Sequence, residues 1–412
     1  MIRPRLVTGD VHLIRQLNRD AVLRLIQDRS PISRTALARL TDLTPATAFS
    51  IVDELMSEGL VCKLGRGPSE GGRRPILFEF APSARLVIGV DIWRDQILGV
   101  LTDLDAKIQH TVCRDHDAGS AAELIQLVVE VLEDLIAAAK PFARPLIGIG
   151  VAVPGLVDAS QGTVRESRFW GWQDYHLGQI LSEKFRLPIC VEVDDKALAV
   201  GESYFGAGRG IPNVICIKIG RGLGAGFVIN GSLLRGPDNT AGELGHMMID
   251  PAGPRCHCGN YGCLTQLVTD SAICERTERG LRLDAISSLR ELVNGDLSRI
   301  TTALVAEAAN AGDPFACQVM EETGRYLGIG IATLVDLLNP DLVILGGSVM
   351  LAGAPLLTSA RHVVQLRAHR APGRRVRIVP ATLGVEAAAI GAATLVMLQE
   401  GVRAVRTCPP SC

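Results

Sequence analysis

The chain has 412 residues, 47% hydrophobic and 21% charged, with a formal net charge of −2. That length exceeds the roughly 250–300 residues one core usually serves, so at least two domains are expected; the near-neutral charge excludes a basic nucleic-acid coat over the whole molecule, and no apolar run reaches the roughly 18 residues that span a bilayer. The start lacks the charged and apolar regions of a signal peptide, and Cys113, Cys190, Cys216 and Cys317 are scattered in apolar stretches like free thiols, so a reducing cytoplasm is expected.

Charge is uneven along the chain. Residues 1–80 hold 12 Lys and Arg against 9 Asp and Glu, and the remainder 30 against 35, as a small anion-facing module on an acidic body would. Residues 11–28 show helical periodicity through Leu13, Leu17, Val22, Leu23, Leu25 and Ile26. A short helix over 33–41 follows, with Ser33 as its N-cap and Asp42-Leu43 as the turn. A third helix starts at Thr44-Pro45, with Thr as N-cap and Pro at the first helical position. Ala48, Ile51, Val52 and Leu55 form its apolar face, and it ends near Gly59. Residues 60–64 and 75–80 read as a β-hairpin around a glycine-rich turn.

That order is a winged helix-turn-helix over residues 1–82, with an ordinary three-helix packing module as the alternative. In such a motif the start of the third helix enters the major groove. It would present Thr44, Ala46, Thr47, Phe49 and Ser50, the hydroxyls to phosphates or base edges and Ala and Phe to thymine methyls. Arg73 and Arg74 on the wing suit a minor groove, and Arg34 a backbone phosphate; a solvated surface charge is the alternative for each.

Residues 83–205 read as a first α/β lobe. Strands are expected over 86–92, 96–102 and 147–153, and an amphipathic helix over 122–139. Strands over 214–219 and 226–229 open a second lobe, 206–400, in which helices over 300–311 and 313–338 lead to a strand over 342–345. Similar strand-turn-strand starts lie near 88 and 214. Residues 401–412, with Cys408 and Cys412, read as a flexible tail.

The most specific signal runs from His246 to Cys263. Cys256, Cys258 and Cys263 lie within eight residues, with Gly259 and Gly262 between them to turn the backbone. Tetrahedral zinc takes four N or S ligands, and His246 completes the set. All four positions are then filled, so the zinc would be structural. The alternative is a chance cluster of buried thiols.

Taken with Gly220-Arg-Gly-Leu-Gly224-Ala-Gly226, with Ala241-Gly242-Glu243-Leu244-Gly245-His246 and with Asn339-Pro-Asp-Leu-Val-Ile-Leu-Gly346-Gly347-Ser348, the cluster resembles the ROK family (repressor, open reading frame, kinase) over about residues 10–400. The fold implied is α/β: the winged helix-turn-helix followed by a two-lobed, actin/hexokinase-like ATPase fold, whose internal duplication fits the similar starts near 88 and 214. The resemblance implies sugar contacts at Glu243 and His246 and at Asp195, the family's catalytic base. Asp194 stands where the family has Asn, Thr265 where it has Glu, and Arg168 roughly where it has Asn. Arg168 and the paired acids suit an acidic or phosphorylated sugar, or else an internal ion pair.

Family kinases open the first lobe with Asp-x-Gly-Gly-Thr, where this chain has Asp91-Ile92-Trp93-Arg94-Asp95. A Trp fills phosphate space and a carboxylate repels an anionic ligand. ATP binding and catalysis are therefore not expected, and Asp195 would be a vestigial base. Family repressors often carry Val-Ser-Arg where this chain has Ala48-Phe49-Ser50, which points to a divergent operator. The resulting expectation is a homodimeric or tetrameric repressor of sugar metabolism that binds double-stranded DNA under control of a sugar. A sugar kinase with an N-terminal appendage and a ligand-independent DNA-binding protein are the alternatives.

Overall fold

The computed structural model describes residues 11–68 and 74–404. It opens with α1 (Val11–Arg29), β1 (Ile32–Ser33), α2 (Arg34–Thr41), α3 (Pro45–Ser57) and the hairpin of β2 (Val61–Arg66) and β3 (Ile76–Phe80). Local chemistry sets these boundaries. Ser33 accepts a hydrogen bond from the Ala36 amide, Asp42 takes the left-handed conformation that closes α2, and Thr44 accepts from the Thr47 amide ahead of Pro45. On α1, Val22, Leu23 and Ile26 are buried, but Leu13 and Leu17 of the same periodicity are exposed.

A first five-stranded sheet contains β4 (Leu86–Ile92), β5 (Gln96–Asp103), β6 (Ile108–Asp115), β7 (Leu146–Val153) and β11 (Ile189–Val193). Helix α4 (Ala121–Ala139) packs on one face of it. A small antiparallel sheet of β8 (Leu156–Asp158), β9 (Thr163–Ser167) and β10 (Trp172–Tyr175), followed by α5 (Leu177–Phe185), is inserted before β11. Helix α6 (Asp194–Tyr204) then leads to a second sheet of β12 (Val214–Ile219), β13 (Leu223–Ile229), β14 (Ser232–Leu234), β15 (Leu342–Gly346) and β16 (Arg377–Pro380). Between β14 and β15 come α7 (Thr265–Val268), α8 (Asp270–Arg282), α9 (Leu289–Leu292), α10 (Thr302–Asn310) and α11 (Pro314–Leu338); α12 (Ala354–Arg367) and α13 (Arg370–Arg375) precede β16, and α14 (Ala387–Gln399) follows it. No helix among the described residues is long and apolar enough to cross a membrane.

The two large sheets share one order. Read from the edge, they run β6-β5-β4-β7-β11 and β14-β13-β12-β15-β16. In each, two antiparallel strands flank the first strand on one side and two parallel strands lie on the other. This bears out the repeat suggested by the starts near 88 and 214, and makes the β4–β5 and β12–β13 turns structural equivalents.

Helices α6 and α14 pack on each other between the sheets. Their seam needs glycine: a Cβ on Gly391 would lie 1.7 Å from the Ala197 carbonyl oxygen, and one on Gly201 would lie 2.5 Å from that of Ala387. Helix α14 falls within the segment read as the second lobe, yet it packs against β4, β7 and β11 of the first sheet. Residues 401–404 correct the expected tail. Val402, Arg403 and Ala404 are buried. Arg19 donates to the Gly401 carbonyl at 2.7 Å, Gln27 to that of Val402 at 3.2 Å, and Arg403 to that of Leu104 at 2.7 Å. These buried backbone groups find their partners on α1 and the first sheet, so α1, Val87, Ile147, Val396 and Met397 share one core.

Candidate functional site

Three surfaces carry the residues singled out in the sequence. The first is the exposed start of α3. Thr44, Ala46 and Ser50 are exposed, while Thr47 and Phe49 are half-buried. The Thr44 and Thr47 hydroxyls are 2.8 Å apart, so the cap already uses them in part. Arg34 is not a free phosphate ligand. Its guanidinium is hydrogen-bonded to Asp53 on α3 and lies over the rings of Phe49, at 5.5 Å, and Phe78, at 5.0 Å. It pins α2, α3 and β3 together. Arg74 is exposed at the foot of the wing; Arg73 lies outside the described residues. The sequence reading passed over Arg39, Lys63 and Arg66. All three are exposed.

The second site is the cluster at the loop before α7. The ligand atoms of His246, Cys256, Cys258 and Cys263 all lie within 4.8 Å of one another. Cys256 Sγ is 3.7 Å from His246 Nδ1, and the sulfurs of Cys258 and Cys263 are 3.6 Å apart. Thiolates about 2.3 Å from a tetrahedral zinc would sit about 3.8 Å from each other, so the donor set fits the ion. Gly259 and Gly262 both have positive φ, and a Cβ on Gly262 would meet the Asp250 carbonyl oxygen at 1.5 Å. The opposite nitrogen of His246 faces Glu243 at 4.0 Å. One imidazole thus joins the metal-type cluster to the cleft.

The third site is that cleft. Asp194 and Asp195 form the first turn of α6, between the two sheets. Glu243 and His246 flank a 3-10 turn, and Thr265 begins α7 beside Gly245. Asp195 packs against Gly224, where a Cβ would meet its Oδ2 at 1.9 Å. Its other oxygen is buried with no hydrogen-bond partner. Burial raises the Asp195 carboxyl well above its ordinary pKa, and the neighbouring Asp194 charge adds to this. Glu243 is half exposed, and Thr265 is buried.

Arg168 comes from the small sheet. It sits between β9 and β10, bonded to Glu166 at 3.0 Å and mostly exposed. Its charge reaches the metal-type loop: burial, then Arg168, hold His257 below its ordinary pKa. The internal ion pair forms with a residue the sequence reading missed. Lys218 donates to Asp194 at 2.7 Å and lies 3.5 Å from Asp91. Burial pulls the Lys218 ammonium down, but Asp194 and Asp91 outweigh it and the net shift is upward. A lysine inside the apolar run Val214-Ile-Cys-Ile-Lys218-Ile219 was the available signal.

The residues that depart from the kinase pattern also have partners. The Trp93 indole donates to Asp91, and Lys218 lies 5.4 Å from the centre of its ring. Asp95 pairs with Arg221 of the β12–β13 turn at 2.6 Å, and Arg94 lies 6.0 Å from the Phe169 ring. The Arg221–Asp95 pair is about half exposed, worth roughly 0.2–1 kcal/mol. Deeper between the lobes, Lys196 donates to the Asn239 carbonyl, and Asn239 donates to Glu192 at 2.9 Å and to the Val157 carbonyl at 2.8 Å.

Comparison with known proteins gives a consistent picture. The ROK family profile matches residues 87–399, and a winged helix-turn-helix DNA-binding profile matches residues 19–61. The xylose repressor of Bacillus subtilis is 32% identical over 389 residues, covering 94% of this chain and 97% of that protein. The DNA-binding transcriptional dual regulator NagC of Escherichia coli is 32% identical over 393 residues, covering 94% of each. Among solved structures, a ROK family transcriptional regulator, homolog of the E. coli MLC protein, superposes with a TM-score of 0.84 at 27% identity, covering 96% of this chain and 98% of that one. A ROK family glucokinase from Streptomyces griseus in complex with glucose and AMPPNP gives 0.68 at 31% identity, covering 75% and 98%.

Proposed function

The chain belongs to the ROK family, and from that premise we propose that it is a sequence-specific DNA-binding transcriptional regulator of sugar metabolism, acting as a repressor. The observation that carries this reading is the joining, in one chain, of a capped recognition helix to a sugar-kinase-like cleft. Relatives of matching length are named as repressors. The protein acts in the cytoplasm, on the nucleoid, as a homodimer or tetramer, so that two heads meet two half-sites on double-stranded DNA.

Thr44, Ala46, Thr47, Phe49 and Ser50 face the major groove, with Arg73 and Arg74 on the wing. Arg34 orders the recognition helix through Asp53 rather than binding phosphate. Arg74→Ala is expected to weaken binding to all sequences alike and to lower the salt slope of log K by up to ~1. Titrating a labelled operator against salt measures this, and an unchanged slope would take Arg74 off the duplex.

The sugar effector is held by Asp195, Glu243, His246 and Thr265, with Asp194 fixed beside them by Lys218. His246, Cys256, Cys258 and Cys263 hold a structural zinc, which stiffens the loop that carries Glu243 and His246. Trp93 and Asp95 close the phosphate side of the cleft, so the chain is not a kinase. A continuous packed route leads from the effector to the DNA head. Asp194 and Asp195 begin α6, α6 packs on α14, and α14 with residues 401–404 shares a core with α1. A sugar that binds one arrangement of α6 better than the other shifts the head by that difference in affinity and no more.

Selection of genomic DNA fragments on the purified protein, followed by sequencing, tests the proposal. Enrichment of one dyad-symmetric site is expected, with release by a sugar whose metabolic genes lie nearby. Absence of enrichment by folded, zinc-loaded protein would sink it.

A further inference from the structure

The turns after β4 and β12 are equivalent positions in the two repeats, and they are bonded to each other. Lys218 at the end of β12 reaches out of the second sheet to two carboxylates, Asp194 at the start of α6 at 2.7 Å and Asp91 on β4 of the first sheet at 3.5 Å. Among the described residues it is the only cation bonded to either. The Trp93 indole covers the ammonium from the β4–β5 turn and donates to Asp91. Nearer solvent, Arg221 repeats the contact with Asp95 at 2.6 Å. Both cations come from the second sheet's β12 and the turn after it; Asp91 and Asp95 belong to the first sheet's β4 and the turn after it, and Asp194 begins α6 between the sheets, so the pairs with Asp91 and Asp95 cross between lobes.

Burial makes the inner pairs count. Asp91 is fully buried, and Lys218 and Asp194 are mostly so. In such surroundings a charge pair is screened little by salt, and removing one partner leaves the others without a counter-charge. Without Lys218, Asp91 and Asp194 would repel each other beside Asp195.

We propose that Lys218, backed by Arg221, is a resident counter-ion clasp that holds the two lobes together with the cleft empty of ligand. In this chain the side-chain cations do what a bound charged ligand would otherwise do, bridging the two equivalent turns. Lys218 is then a positioning residue for Asp194 and the start of α6. Lobe closure becomes a property of the free protein, and an effector works against or with a cleft that is already shut.

Hydrogen–deuterium exchange of the full-length, zinc-loaded protein, with neither sugar nor DNA, tests this independently of the regulatory reading. Lys218→Met is expected to speed exchange in residues 91–97 and 216–223 by about ten-fold or more. Protection of α11 and of α4, each packed within a single lobe, is expected to stay as in the wild type, which a general loss of stability would not allow. Exchange in the two turns matching the wild type overturns the clasp. If Lys218→Met fails to fold, judged by lost protection in α11, the outer pair decides. Arg221→Asp, which faces Asp95 with a like charge, is expected to speed exchange in both turns roughly two- to ten-fold, and the swap D95R/R221D to restore it. No change in Arg221→Asp, or no recovery in the swap, overturns the proposal.

Discussion

Gly391→Ala is expected to lower the melting temperature more than any other single change at the helix seam. In an isolated helix the substitution would stabilise, since Gly costs ~1 kcal/mol relative to Ala in a helix interior. Here the new Cβ would sit 1.7 Å from the Ala197 carbonyl oxygen, and the next contacts are the Ala197 carbonyl carbon and the Gly201 backbone. Backbone atoms inside two packed helices have nowhere to relax, so overpacking wins, at about 3 kcal/mol or more. For a cooperative unit the size of residues 87–399 that corresponds to roughly 4–5 °C. Gly222→Ala, with nothing within 4 Å of its Cβ, is the control and is expected to be nearly silent. Thermal unfolding of both variants decides. A Gly391→Ala protein that melts with the wild type would mean that α6 and α14 are not in contact. Because the same seam leads from Asp194 and Asp195 toward α1, a folded fraction is also expected to lose sugar control of DNA binding before it loses DNA binding itself.

Removing one thiolate from the cluster is expected to have the second large effect. Cys258→Ser takes away one of four donors whose spacing already fits tetrahedral zinc. Tight metal content, about one zinc per chain in the parent, is expected to fall toward zero. Structural zinc sites bind with apparent free energies of about 10–16 kcal/mol in small folding units, and much of that is order imposed on the loop. Residues 246–263 are therefore expected to lose protection against hydrogen exchange, with α1 and α3 unchanged. Sugar affinity is expected to drop about 10–100-fold, because His246 and Glu243 are oriented through the same loop. Elemental analysis gives the first answer: unchanged metal content removes the zinc assignment. Treating the parent with a strong chelator is expected to reproduce the variant's exchange pattern. A chelated protein with an ordered loop would show that the turn glycines and backbone bonds suffice without metal.

Several features were legible in the chain because they depend on neighbours in sequence. Ser33 and Thr44-Pro45 mark helix starts through caps that reach three residues ahead. The apolar runs at 86–92, 147–153 and 342–345 became buried central strands. The metal-type cluster depends mainly on a loop of eight residues with two positive-φ glycines, so its cysteines come together by local folding. By contrast β6 alternates between exposed and half-buried positions and carries no apolar run. The small sheet of β8 to β10 was hidden for a similar reason: its strands are short, and partner strands rather than their own pattern define them.

The class of the protein is written in contiguous residues: a capped recognition helix, a sugar-kinase-like body and a cysteine cluster. Tertiary structure alone decided what the charged residues do. Arg34 looked free and is bound to Asp53; Arg168 is paired with Glu166; Lys218 and Arg221 drew no notice and pair with acids of the first sheet. It also decided that residues 401–404 tie α1 to the first sheet. The physical reason is range. Capping, turn formation and periodic burial act within about one turn of chain, whereas an ion pair is set by whichever opposite charge the fold brings within about 4 Å, and Asp95 and Arg221 are 126 residues apart.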